Sequence, residues 1–111
     1  MGQYPSFNCL KSCARAVAQF FTEYDYLLTP TTACVSWPVD QVFPKVIENR
    51  EVGPRGHAVF TPLFNLALVP GISVPCGTGR EGLPVGLQIV APRLHDRPLL
   101  AMAQRAELAL D

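Results

Sequence analysis

One stretch, Pro84-Val85-Gly86-Leu87-Gln88-Ile89-Val90-Ala91, constrains this chain more than any other. It reads as a strand, with Val85, Leu87 and Ile89 facing one way and Gly86, Gln88 and Val90 the other. Both faces are fairly apolar, which suits a strand covered by layers on both sides. The flanking sequence supplies candidates for those layers. Leu10, Cys13, Ala14, Val17, Phe20, Phe21 and Tyr24 recur at steps of three and four, the stripe of an amphipathic helix that ends at Glu23. Ser6 or Asn8 is its expected cap. A second stripe, Leu99, Met102, Ala103, Ala106 and Leu110, defines a final helix with Asp96 as its cap and Pro98 in its first turn.

Between these helices lie shorter elements. Residues 25–29 read as a buried strand stopped by Pro30, and residues 72–75 as another. A short helix is expected over residues 60–69, capped by Thr61, with Pro62 at its first position. Gly77, Gly79 and Gly82 mark residues 76–83 as a turn region. Residues 31–59 form a long loop, interrupted by Pro38, Pro44 and Pro54, in which one helical turn is the most structure expected. Loops of that length are uncommon in compact domains unless functional or disordered. The order is α/β, helix layers over a sheet, yet only three strands are visible. A sheet that small would leave exposed edges.

Composition points the same way. Charged residues make up 16% of the 111 and hydrophobic ones 49%, whereas a soluble domain carries roughly 25% charged residues. A small domain has proportionally more surface to cover, so the deficit implies that something outside the sequence covers part of it. That cover is the rest of a larger domain, a partner chain or a membrane. A formal net charge of zero, with no basic or acidic run, argues against nucleic acid and anionic membranes as partners. No apolar run approaches the ~20 residues that span a bilayer.

Residues 1–6 fit the loose N-myristoylation pattern, with Cys9 nearby, but the pattern is too short to carry an expectation. Cys9 and Cys13 are spaced to share a helical face, but neither Cys34, Cys76, His57 nor His95 completes a recognisable zinc set. Buried thiols in a reducing compartment are expected instead, so the cytoplasm is the default location. No cofactor is expected.

Three stretches together resemble the C-terminal portion of the amidase-signature family. They are Tyr24-Asp25-Tyr26-Leu27-Leu28-Thr29-Pro30-Thr31, then residues 60–66 followed by Pro70-Gly71-Ile72-Ser73-Val74-Pro75-Cys76-Gly77, and finally Gly82-Leu83-Pro84-Val85-Gly86-Leu87-Gln88-Ile89-Val90. The resemblance implies one partial amidase domain over residues 1–111, the C-terminal part of an α/β/α sandwich on a mixed sheet, incomplete by itself. It implies hydrolysis of amide carbon–nitrogen bonds by a serine that a second serine and a lysine activate.

Those catalytic parts have no match here. Ser6, Ser12, Ser36 and Ser73 lack flanking glycine pairs, and neither Lys11 nor Lys45 follows a buried strand. The expectation is therefore an amidase segment inactive alone. The alternative is a non-catalytic module that docks on a partner chain, on a complementary amidase fragment or on a second copy of itself. In the complete enzyme the partner is a small amide substrate, and Trp37, Phe60, Thr61 and Asn65 are the candidate substrate-binding residues. Ala58 stands where the family's transamidation members place an acidic residue, which points to a general amidase. Leu68 replaces the glycine that the resemblance implies between two blocks, which argues against the family's local turn there.

Overall fold

The computed structural model describes residues 7–110, with side chains from residue 11 onward. In chain order the elements are α1 (Phe7–Glu23), β1 (Leu27–Pro30), β2 (Val46–Ile47), β3 (Arg50–Glu51), α2 (Pro62–Leu66), β4 (Gly71–Thr78), β5 (Pro84–Val90) and α3 (Asp96–Leu110). Three strands make one sheet in the order β1-β5-β4, and both pairings are antiparallel. The apolar strand β5 is the central one.

The register assigns each side chain to a face. Leu28, Ile89 and Ile72 are opposite one another, as are Pro30, Leu87 and Val74. Leu27, Val90 and Gly71, then Thr29, Gln88 and Ser73, occupy the other face, because opposed residues on neighbouring strands point the same way. Helix α3 covers the first face: Val74, Ile89, Ala91, Leu99 and Ala103 form a buried cluster, with Tyr26, Ile72, Leu87, Met102 and Ala106 packed on it. On the second face, Leu27 lines an apolar groove of about 320 Å³ together with Val17 and Phe20 of α1 and Leu63 and Phe64 of α2. The arrangement is α/β/α. Ile89, Val90 and Ala91 expose no surface, so the lower half of β5 is sealed on both sides. Burying the Ile89 and Val90 side chains stabilises by about 1.5–3 kcal/mol each.

The layers are thin. The molecule measures 41 × 40 × 19 Å with a radius of gyration of 15.7 Å, against about 13 Å for a compact chain of this length. It exposes 8572 Å², where a compact monomer of 12.1 kDa exposes about 6000 Å². Of the apolar stripe of α1, Val17 is buried while Tyr24 remains 56% exposed. Among the described residues the outer edges of β1 and β4 pair with nothing. The low charge of the sequence corresponds to this uncovered area.

Several local readings change. Helix α1 begins at Phe7; Ser6, the N-terminal pattern and the Cys9 side chain lie outside the described residues. Asp96 is the first residue of α3 rather than its cap: the Leu99 N–H donates to the His95 carbonyl at 3.0 Å, so His95 occupies the capping position. Asp96 still places a negative charge in the first turn, where the helix dipole favours it. Thr61 does precede α2, but its side chain makes no capping hydrogen bond.

Strand β4 continues to Thr78, through what the glycines suggested was turn. A bulge between Pro75 and Thr78, with Gly77 at φ 74°, lets pairing resume at Thr78 and Pro84. The turn itself is residues 79–83, closed by the Gly79 N–H on the Leu83 carbonyl at 2.7 Å. The long loop holds a β2–β3 hairpin whose central residues, Glu48 and Asn49, sit at φ 52° and 62°, and a 3-10 turn at Gly56–Ala58.

Helix α2 is shorter than expected because of Leu68. The Val69 N–H donates to the Phe64 carbonyl at 3.3 Å and the Leu68 N–H to the Asn65 carbonyl at 3.4 Å. This double closure is the Schellman motif, which needs a left-handed residue just past the helix. Leu68 adopts φ 58° to provide it, at the position where the resemblance implied a glycine.

Candidate functional site

The second face of the sheet changes character along its length. Beyond the apolar Leu27–Val90 level it turns polar, and Thr29, Thr31, Ser73 and Gln88 line a strip with Gly86 at its centre. Gln88 is only 7% exposed, and its Nε2 donates two hydrogen bonds of 2.8 Å, to Thr29 Oγ1 and to the Phe60 carbonyl. A carbonyl only accepts, so this geometry fixes which end of the amide faces Phe60. Gln88 thereby ties the start of the α2 segment to the central strand.

One level further along, Thr31 Oγ1 and Ser73 Oγ lie 2.6 Å apart. They belong to opposite flanks of β5 and meet across it. Gly86 makes that contact feasible: a Cβ there would lie 2.6 Å from Ser73 Oγ and 2.8 Å from Thr31 Oγ1, closer than real Cβ contacts come. The Thr31 N–H donates to the Gly86 carbonyl at 3.1 Å and sets the register.

The loop beyond β1 builds a wall beside this strip. The Ala33 N–H donates to the His57 carbonyl at 3.1 Å, drawing the two ends of the loop together. Trp37 packs on His57 with ring centroids 4.7 Å apart and donates Nε1–H to the Gln41 carbonyl at 3.1 Å. It borders a cleft of about 380 Å³ with Cys34, Pro44 and Val46. Nδ1 of His57 is buried without a hydrogen-bond partner.

The structure therefore separates the four residues singled out from the sequence. Trp37 is half-buried in the loop wall, Phe60 and Thr61 are half-buried where α2 leaves the sheet, and Asn65 is exposed on α2. Gln88, Thr29, Thr31 and Ser73 were not singled out. The alternation of β5 did put Gly86 and Gln88 on one face, but the cross-strand register that adds three hydroxyls is not written in any local pattern.

Chemically, the strip offers neutral hydrogen-bonding groups and no charged side chain. A Cys34–His57 nucleophilic pair is disfavoured, because burial raises the Cys34 thiol pKa, the opposite of what an attacking thiolate requires. Among the described residues no three His, Cys, Asp or Glu side chains gather as a metal site would need. No helix among them is long and apolar enough to cross a membrane.

With the geometry in place, comparison with known proteins decides the family. Residues 7–100 match the family model described as Amidase. The chain belongs to the amidase family. Among curated relatives, the chain is 37% identical over 98 residues to a glutamyl-tRNA(Gln) amidotransferase subunit from Parvibaculum lavamentivorans, covering 88% of this chain and 19% of that protein. It is 34% identical over 100 residues to the putative amidase AmiC of Mycobacterium leprae, covering 90% and 21%. Among solved structures, a bacterial aryl acylamidase of the amidase-signature family superposes with a TM-score of 0.78 at 30% identity, covering 92% of this chain and 21% of that one. A further amidase superposes at 0.83 with 26% identity, covering 94% and 24%. The chain thus spans about a fifth of the length of the relatives it matches. Its α/β/α layers are the C-terminal portion of the amidase-signature fold.

Proposed function

We propose that this chain supplies the C-terminal sheet strands and one wall of the substrate site of an amidase acting on amide carbon–nitrogen bonds. In this reading the activated serine, its partner serine and the lysine lie outside these residues, so the chain is inactive alone. The observation that carries the reading is the family match over residues 7–100 together with an exposed surface of 8572 Å², well above that of a compact monomer of this mass. In this reading the half-buried Trp37, Phe60 and Thr61 and the exposed Asn65 contribute to that wall from separate elements. Small neutral amides are the substrate class the strip suits, since Ala58, at the end of the 3-10 turn, brings no carboxylate to hold an ammonium group.

A second reading, docking on a separate complementary chain, is favoured by the unpaired edges of β1 and β4 and by the apolar groove between α1 and α2. It assigns the same wall to the same face.

The test is a chimera in which residues 7–110 replace the matching segment of the aryl acylamidase. Phe60→Ala and Trp37→Ala should each raise KM for an aryl amide about tenfold, equivalent to roughly 1.4 kcal/mol of lost contact, with a smaller change in kcat. An active chimera whose KM is indifferent to both substitutions refutes the wall.

A further inference from the structure

We propose that Thr31 and Ser73, held side by side over Gly86, form a subsite that binds the neutral amide group of a ligand. The inference rests on the proposed function, in which this face borders a substrate site, and adds a specific contact to it. Three observations carry it.

The first is hydrogen-bond arithmetic. Two hydroxyls contain two O–H donors and four lone pairs, and the 2.6 Å contact between them uses one of each. One O–H and three lone pairs remain, on side chains that the contact leaves open to solvent. An amide needs one donor for its carbonyl and one acceptor for its N–H. The pair supplies both within one hydroxyl–hydroxyl distance.

The second is the cleared floor. Neighbouring positions on this face carry Thr29 and Gln88, yet both are committed elsewhere: Gln88 to Thr29 and Phe60, and Thr29 to the Pro30 carbonyl at 2.9 Å as well. At Gly86 the central strand has no side chain, so nothing rises between the hydroxyls. A Cβ would enter the space both oxygens occupy. For gluing the sheet alone an apolar residue would pack better at this level, as Val90 does two pairs away.

The third is the absence of charge. Leu27, Thr29, Thr31, Gly71, Ser73, Gly86, Gln88 and Val90 are all uncharged, so the strip offers no counter-ion to a carboxylate or ammonium ligand. A neutral group loses least on entering it.

The experiment is a titration of the isotopically labelled 111-residue chain with benzamide, followed by amide and indole nuclear magnetic resonance signals. Saturable shifts at Thr31, Ser73 and Gly86 are expected. The double variant Thr31→Val, Ser73→Ala should weaken benzamide binding at least about fivefold, the effect of losing one neutral hydrogen bond. Thr31→Ser, which keeps the hydroxyl, should restore it. If the double variant loses its dispersed spectrum, the single Ser73→Ala variant at an exposed position gives the same readout. Sodium benzoate, which has no N–H, should bind less well; equal binding overturns the amide assignment. Shifts confined to Trp37 and Phe60 and unchanged in the double variant overturn the subsite while leaving the wall standing. Shifts at Thr31 and Ser73 without Trp37 or Phe60 support the subsite and remove the wall. No saturable shift anywhere overturns both.

Discussion

Gln88 is the residue on which the polar half of the site most depends, and its replacement separates hydrogen bonding from packing. Gln88→Leu keeps the volume but removes both 2.8 Å hydrogen bonds, leaving the Phe60 carbonyl and Thr29 hydroxyl facing an alkyl group. Each lost bond is worth about 1 kcal/mol net, and a buried acceptor left unpaired costs about 1–3 kcal/mol. Added leucine burial offsets part of this, so a loss of about 2 kcal/mol is expected. For a chain of this size that lowers Tm by about 8–16 °C, read by circular dichroism on the 111-residue chain.

Gln88→Glu gives the sharper outcome. Its carboxyl would face a carbonyl oxygen in a buried position, so the native state favours the protonated form, and the folded pKa is raised above the unfolded value of about 4.3. Stability is then fully present below about pH 4.3 and is lost as pH rises through the folded pKa. The Glu variant should exceed the Leu variant in stability at pH 4 and fall below it at pH 7. Parallel pH profiles for the two variants would refute the assignment of Gln88 as a double donor to Phe60 and Thr29.

Other expectations follow from single features. Ile89→Ala opens a cavity in a side chain with no exposed surface and should cost about 2–5 kcal/mol in urea unfolding. At Leu68 the usual helix ranking should invert: Leu68→Gly should be more stable than Leu68→Ala by about 0.5–1 kcal/mol, because the left-handed penalty of about 1–2 kcal/mol exceeds the chain-entropy cost of glycine of about 0.5–1 kcal/mol. Equal or reversed stabilities by thermal melt would show that Leu68 is not held at positive φ. Burial raises the Cys34 thiol, so its alkylation by iodoacetamide at pH 8 should be slower than that of an unstructured cysteine peptide. The same shift removes stability as pH rises through the folded value.

What the sequence made legible follows physical periodicity. The two-faced apolar pattern of residues 84–91 marked β5 as a strand covered on both faces, and the three-and-four stripes located α1 and α3 within a residue or two. Burial dictates those patterns directly. Boundaries set by backbone chemistry were harder. His95 caps α3 with its carbonyl, a role any residue can fill, while Asp96 carries the usual signature one position too late. The β2–β3 hairpin turns on Glu48 and Asn49 at positive φ, and a glutamate there gives no turn signal. Leu68 is the reverse case, a turn that the resemblance expected and the residue type concealed.

For the site, local sequence marked aromatic and polar residues in loops. The strip made by Thr29, Thr31, Ser73 and Gln88 depends on strand register between segments more than forty residues apart. No local pattern encodes that pairing. The glycine at 86 is its one visible trace, since a small residue in the middle of a buried strand asks what comes close to it.

The most direct measurement compares aryl amide hydrolysis by the purified 111-residue chain with hydrolysis by the chimera that embeds residues 7–110 in the aryl acylamidase. No turnover above buffer by the chain and clear turnover by the chimera are the predicted results. Hydrolysis that follows the isolated chain through purification, or a folded chimera that turns over nothing, would contradict the account.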